Sequence, residues 1–581
     1  MSTKLKVYAN EDDTLLFWSI PQPIPGCRGF AIERKRTDTK GKHTQVFLNN
    51  RLGFENEPPP ADAAEGQEAV LKPSTVWPFQ RFLWTDHEVG TGDTVQYRVV
   101  PMIRNAAGGL GPSEPNASAW SEERTLGHTA DGKYQPFFNR GFVMSQFMAR
   151  YLAENHLTLR QFKDRISDQD DKSIREFLSG DLRLALLKEL KAAKDEGGKI
   201  FAALFELSDD ELIDALCALK DRANVVLSNG SVQAARGEPA AEARKRDENK
   251  EARQRLLADD VRVVVAEHDR FISPGALGHN KFMVRTDKDG NPLTLWTGST
   301  NWAPTGLCTQ VNNGLLINDP AVAKVYLDQW HALKDAKSLF PKPFVAANSK
   351  PRPVGDDVPG TVRSVVWFTR TSKGVDMDAL RAEVMKAREG VLFLMFMPGA
   401  TGLFSTVAAL SNEPGLFVRG VVSELPHGIN DPSAVDVSLI DGPQHRSMHL
   451  DVIQPEGIQH PMARFAEEVT RKQFLSSVGH AIIHSKVVVV DPFGPDPTVI
   501  TGSHNFSGSA SQKNDENFIV IKGDAALAEA YAVNVMGAYD HYRFRALLGQ
   551  TNHPFNGLKD SDTWQGPMLA ANRRTLRFWG V

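Results

Sequence analysis

Twice in this chain an apolar run carries His-x-Lys and leads on to Gly-Ser-x-Asn. The first copy is His279-Asn280-Lys281 with Gly298-Ser299-Thr300-Asn301, and the second is His484-Ser485-Lys486 with Gly502-Ser503-His504-Asn505. The two histidines stand 205 residues apart, and GSTNWAPTGLCTQVNNGLLI from Gly298 falls without gaps on GSHNFSGSASQKNDENFIVI from Gly502. One His-x-Lys arises easily by chance, and a lone histidine on an apolar strand is more often a hydrogen-bonded structural residue than a catalyst. Two copies with the same sequel reverse that judgement and point to a chain built as two similar halves.

The neighbouring elements repeat as well. An apolar run Ile200–Phe205, a helix over Asp209–Lys220 and a run Val225–Leu227 reappear as Val391–Met397, a helix near Phe404–Leu410 and Leu416–Val422. This is the strand, helix, strand order of an α/β sheet. Phe142, Phe147, Met148 and Leu152 recur at helical spacing ahead of the first half. The first hundred residues instead show short alternating strands between Gly- and Pro-rich turns, as in a β-sandwich. There the pairing of LLFWSIPQP with TVQYRVVPM resembles a fibronectin type III domain. The expected organisation is an all-β sandwich over 1–128, an α/β half over 129–340, a Pro-rich linker over 341–360, a second α/β half over 361–548 and a tail over 549–581. The charged segment Glu238–Arg255 interleaves acids with bases and reads as a solvated helix or insertion rather than a nucleic-acid patch.

Composition narrows the function classes. Hydrophobic residues at 41% and charged residues at 24% fit a globular chain with sizeable cores. A net charge of −4 disfavours a broad basic surface for nucleic acid. Cys27, Cys217 and Cys308 have neither a zinc spacing nor a disulfide framework, which fits buried thiols in a reducing compartment. The N-terminus lacks the basic start and long apolar core of a secretory signal, and no run approaches the ~18 apolar residues of a membrane span. The expectation is a cytoplasmic protein.

The doubled pattern resembles the phospholipase D superfamily, whose signature is a doubled HxKxxxxD followed by GSxN. The second copy, HSKVVVVD, is complete to Asp491; the first has Thr286 at the acidic place, with Asp287 one residue later. Over roughly residues 130 to 548, the resemblance implies two α/β halves sharing one phosphodiester site, with no metal and no cofactor. It carries over His279, Lys281, Ser299, Asn301, His484, Lys486, Ser503 and Asn505. The chemistry of these residue types agrees. Metal-free attack on a phosphodiester requires fixed cations and amide donors around its oxygens, which Lys281, Lys486, Asn301 and Asn505 supply. One imidazole can attack phosphorus to give a phosphohistidine, and another can protonate the leaving alkoxide. In the gap-free pairing Glu516 falls opposite Asn312. If Glu516 holds His484, its charge favours the imidazolium there, and Asn312 near His279 leaves that ring neutral. On this reading His279 is the nucleophile and His484 the acid and base, the assignment the family also implies. His268, His480 and His504 are read as structural.

Three functions fit: head-group hydrolysis or transfer on a phospholipid, cleavage of nucleic acid by a superfamily nuclease, and binding without catalysis. The charge balance favours the first. Phe393–Met397, Trp302 and Phe506 serve either acyl chains or the core, and the tail RRTLRFWGV, with Phe578 and Trp579, reads either as a peripheral membrane anchor or as packing. The front domain is expected to position the enzyme on a protein partner or on its own core.

Overall fold

The computed structural model describes residues 2–57, 71–128, 132–141, 159–168, 170–263, 270–399, 402–411, 413, 415–423, 437–439, 450–453, 483–548 and 557–581. The helical pattern expected around Phe142–Leu152, and His268 and His480, lie outside them.

Two mixed sheets carry the duplicated halves. In the first, the strands lie in the order Tyr134–Phe138, Asn313–Ile317, Pro292–Gly298, Lys281–Thr286, Lys199–Leu204, Ala223–Leu227, Arg262–Val263. In the second, Arg363–Phe368, Asn517–Lys522, Thr498–Gly502, Val487–Val490, Gly390–Met395, Phe417–Val422 and Leu450–Ile453 follow the same spatial order. The chain is therefore α/β with two like halves. In each, the strand that begins at or after the motif lysine runs antiparallel to a neighbour on both sides.

Side-chain period explains the layering. Phe282 and Val284 enter one core while Met283 enters another; Val487 and Val489 separate in the same way from Val488 and Val490. The inner faces of both sheets join a single buried cluster with helices Pro320–Ala336 and Ala525–Leu548, each of which follows the last strand of its half. Both start on an aspartate cap: Asp319 accepts the Ala321 and Val322 N–H groups and Asp524 accepts that of Leu527. The outer faces are covered by Ser173–Asp195 and Asp210–Cys217 in the first half and by Val375–Val384 and Leu403–Leu410 in the second.

The N-terminal region is all-β. Lys4–Ala9, Thr14–Ser19 and Leu83–Asp86 form one sheet, and Arg124–Thr125, Thr94–Arg104, Cys27–Thr37 and His43–Phe47 form the core of the other. Their apolar residues, Trp18, Phe30 and Tyr97 among them, belong to the same cluster as the two α/β sheets.

One expectation is corrected, and one pair of alternatives is decided. The stretch read as a linker holds a helix, Lys342–Asn348, and a strand, Arg352–Val354, which pairs at the edge of the second sheet, where a proline in the ladder is tolerated. The tail holds a helix, Gln565–Phe578, whose end is buried rather than offered to a membrane. Trp579 stacks on Phe17 with centroids 4.5 Å apart, Phe578 stacks on Phe417 at 4.3 Å, and Tyr8 Oη donates to the Trp579 carbonyl at 2.7 Å. The tail thus ties the front sheets to the second half. Of the three thiols, Cys27 and Cys308 are buried and Cys217 is half-buried. Among the described residues no helix is long and apolar enough to cross a membrane.

Candidate active site

The two motif strands are led into the site by the opposite half. The His279 N–H donates to the Asp515 carbonyl at 2.9 Å and the His484 N–H to the Val311 carbonyl at 2.9 Å. Short bridges at Gly278–Asp515 and Val311–Ile483 make the same crossing. A buried ion pair reinforces the first: Arg270 donates from Nε and Nη2 to the Asp515 carboxylate, each at 2.9 Å.

This crossing corrects the expected pairing of rings and supports. Glu516 holds His279, with Nδ1 to Oε2 at 2.7 Å, and Asn312 holds His484, with Nδ1 to Oδ1 at 2.9 Å. Glu516 and Asn312 each precede the last strand of their own half, and that segment pairs with the lead-in of the other half's histidine. Each support is oriented by the motif serine of its own half. Ser503 Oγ donates to Glu516 Oε2 at 2.9 Å and Ser299 Oγ to Asn312 Oδ1 at 2.8 Å. The motif glycines allow the strand to pass this close. Gly298 has φ of 145° and Gly502 of 154°, and a Cβ on either would lie 2.4 or 2.3 Å from the carbonyl of Asn313 or Asn517.

The lysines repeat the symmetry. Lys281 Nζ donates to the His279 carbonyl at 2.9 Å, and Lys486 Nζ donates to that of His484. Each ammonium sits over an aromatic ring, Phe205 at 4.8 Å and Phe396 at 4.9 Å, and the same rings pack on His279 and His484 at 4.7 and 4.9 Å. His279 and His484 are each 4% exposed, Lys281 1% and Lys486 0%, so the charges are held out of bulk water.

That burial sets the protonation. It pushes His279 down to about 4, with Glu516 opposing the shift and Lys281 and Lys486 adding to it. His484 is driven well below the usual imidazole range by burial, then by Lys486, Lys281 and His279. Burial also lowers both lysines. Burial works to raise Glu516, but His279, then His504 and Lys281, hold it below the ordinary carboxyl range. A neutral His279 that donates Nδ1–H to Glu516 presents a free lone pair at Nε2.

The motif asparagines differ. Asn301 Nδ2 donates to Glu206 Oε2 at 2.7 Å, while Asn505 is half-buried; the Oδ1 atoms of both are buried and have no hydrogen-bond partner among the described residues. Glu206 and Phe205 were not singled out as site residues from the sequence, whereas Phe396 lies in the run Phe393–Met397 that was read as serving acyl chains or the core. A signal for Glu206 was present: it is the one charged residue at the C-terminal end of the Ile200–Phe205 run, where α/β sheets present side chains to ligands.

Asp491 stands elsewhere, at the far end of its strand and about 16 Å from Lys486. Its carboxylate accepts the N–H groups of Arg388, Glu389 and Gly390 at 2.8, 2.7 and 2.8 Å. It is a bracket between strands, which explains why the first half dispenses with it. Thr286 Oγ1 donates to the Asp287 carbonyl, and Asp287 closes a turn by accepting the N–H groups of Asp289 and Asn291. Asp491→Ala should therefore cost about 2 kcal/mol in urea unfolding and change turnover of a soluble diester by less than about threefold. Loss of turnover at unchanged stability would move it into the site. His504 is structural, as expected: its Nδ1 accepts the Phe506 N–H at 3.0 Å, and its Nε2 faces Asp376 and Ser511, each at 3.3 Å. Trp302, Phe393 and Phe506 are fully buried core residues, whereas Met397 is 47% exposed.

Comparison with known proteins agrees with the doubled site. The family model described as cardiolipin synthase, PLD-like domain, matches residues 186–333 and 432–535. A phospholipase D of Rickettsia bellii is 32% identical over 110 residues, 19% of this chain and 51% of that protein, so the chain spans about half the relative's length. Phosphatidylserine synthase of Haemophilus influenzae is similar over 69% of this chain and 92% of its own, with 12% identity and a TM-score of 0.38. Polyphosphate kinase of Porphyromonas gingivalis is similar over 89% of this chain and 74% of its own, with 11% identity and a TM-score of 0.36. With two matched PLD-like segments and a duplicated His-x-Lys and Gly-Ser-x-Asn site, the chain is similar to the phospholipase D superfamily over both α/β halves.

Proposed function

We propose that the chain is a phosphodiesterase that releases, or exchanges, the head group of a phospholipid through a phosphohistidine on His279. The observation that carries this reading is the crossed pair of dyads, His279 with Glu516 and His484 with Asn312, beside two buried lysines. Neither half holds a nucleophile, an acid and their supports by itself.

The corrected pairing keeps the roles and changes their reason. When His279 Nε2 attacks phosphorus, the ring becomes a phosphoimidazolium, and the Glu516 carboxylate stabilises that positive charge. Asn312 offers His484 only a neutral acceptor, so a proton taken up beside the bound phosphate is easily passed to the leaving alkoxide. The P–O bond to the head group breaks as the N–P bond forms. His484 then takes a proton from water, or from an acceptor alcohol, which breaks the N–P bond and frees His279. Lys281 and Lys486 neutralise the non-bridging oxygens, and the phosphate in turn offsets the cost of their burial.

Two expectations test this. Turnover of a soluble diester should change by less than about twofold in EDTA, because lysines do the work a metal does in other phosphodiesterases. Loss on chelation with recovery on one divalent ion would overturn the mechanism. Vesicles of phosphatidylcholine or phosphatidylethanolamine should be hydrolysed at pH 7 and single- or double-stranded DNA should not. Faster cleavage of DNA would replace the lipid reading by the nuclease one.

A further inference from the structure

The charged segment Glu238–Arg255 holds part of the site in place. Asn249, which precedes helix Lys250–Ala258, is buried and bridges three backbone groups: Nδ2 donates to the carbonyls of Phe205 and Ser228, both at 2.8 Å, and Oδ1 accepts the Leu207 N–H at 3.0 Å. These bonds fix the turn Phe205-Glu206-Leu207. Phe205 is thereby set against His279 and Lys281, and Glu206 against Asn301.

Glu206 is a costly residue to place there. It is half-buried, within electrostatic reach of both Lys281 and Lys486, and among the described residues only its Oε2 accepts a hydrogen bond, from Asn301. In the cradle two lysines are already matched by two carboxylates, Glu206 and Glu516. A bare phosphodiester anion therefore meets a carboxylate at the rim, with exposed Glu248 adding to its field. The second half lacks this acid: the residue after the corresponding Phe396 is Met397. A carboxylate that weakens the binding of every phosphodiester improves discrimination only if the right one brings a positive charge near its phosphate.

We infer that Glu206 is a substrate-selecting residue, whose carboxylate receives an ammonium carried two or three bonds from the phosphate oxygen, while Lys281 and Lys486 hold the phosphate. The ligand class is a zwitterionic aminoalkyl phosphodiester, favoured over neutral or anionic head groups. The inference rests on the phosphodiesterase reading above and adds a residue to it. Burial raises the Glu206 carboxyl and Lys281 draws it back. An incoming ammonium favours its ionised form, whereas a bare phosphate opposes it.

The test uses two short-chain phosphatidyl diesters that differ only in the head group released, one 2-aminoethyl and one n-propyl, on the intact chain. Wild type should prefer the aminoethyl diester by about tenfold or more in kcat/KM, the ratio one charge-assisted hydrogen bond supplies, and Glu206→Gln should bring that ratio close to one. Glu206→Asp, which keeps the charge on a shorter stem, should retain part of it and serves if the glutamine variant does not fold. A wild-type ratio near one, or a ratio unchanged in Glu206→Gln, overturns the inference. If wild type turns over neither diester, the phosphodiesterase reading fails, and the selection is read from calorimetric affinities instead. Phosphoethanolamine should then bind about tenfold tighter than propyl phosphate, and equal affinities overturn the role of Glu206 by themselves.

Discussion

His279→Ala should lose at least about 10⁵-fold of turnover on every diester, with no substrate able to rescue it, because no attacking atom remains. His484→Ala should lose a similar factor only where the departing oxygen is a poor leaving group. On p-nitrophenyl diesters, whose phenolate leaves without a proton, it should regain about two to three orders of magnitude. The two substitutions act on one site, so the double variant should be scarcely worse than His279→Ala alone. Acid-quenched wild type should carry acid-labile phosphate, and peptide mapping should place it on His279. Phosphate on His484 would exchange the roles. Near-normal turnover by either single variant would dissolve the shared site.

Much of this arrangement was legible because the motif is doubled. The repeated apolar runs fixed which strands correspond, and their spatial order repeats in the two sheets. Alternation in Val95, Tyr97 and Val99 was enough to mark the front region as all-β, since all three side chains enter one core. What composition misjudged were segments ordered by distant contacts. Pro351 and Pro353 resemble linker prolines until the pairing of Arg352–Val354 with Arg363–Phe368 is seen. Phe340 and Phe344 are apolar for a reason outside their own segment: both lie on the Arg270 guanidinium, at 5.0 and 5.6 Å. The crossing of supports was not legible at all. A gap-free pairing says that Glu516 and Asn312 are equivalent, but not which ring each one meets. That depends on how the two halves face each other, a relation set by the bridges at Gly278–Asp515 and Val311–Ile483.

The crossing itself gives the second large effect. Glu516→Gln removes the charge that stabilises the phosphoimidazolium and the acceptor that fixes Nδ1–H, so kcat/KM should fall by about 10⁴-fold, as when the acid behind a catalytic histidine is made neutral elsewhere. The pH profile then tells which ring Glu516 serves. His279 must be neutral to attack, so its titration governs the acid limb, and rate is lost as pH falls through a value near 4. Glu516 raises that value against burial and the lysines; its removal should therefore move the acid limb to still lower pH while the plateau drops. Were Glu516 behind His484, it would instead support the protonated acid, and its loss would move the alkaline limb down and leave the acid limb in place. Asn312→Asp supplies the reciprocal case. A carboxylate behind His484 should raise that ring's pKa and carry the alkaline limb to higher pH, because His484 then keeps its proton longer. An acid limb unmoved in Glu516→Gln, together with an alkaline limb unmoved in Asn312→Asp, would show that neither support reaches its ring across the two halves.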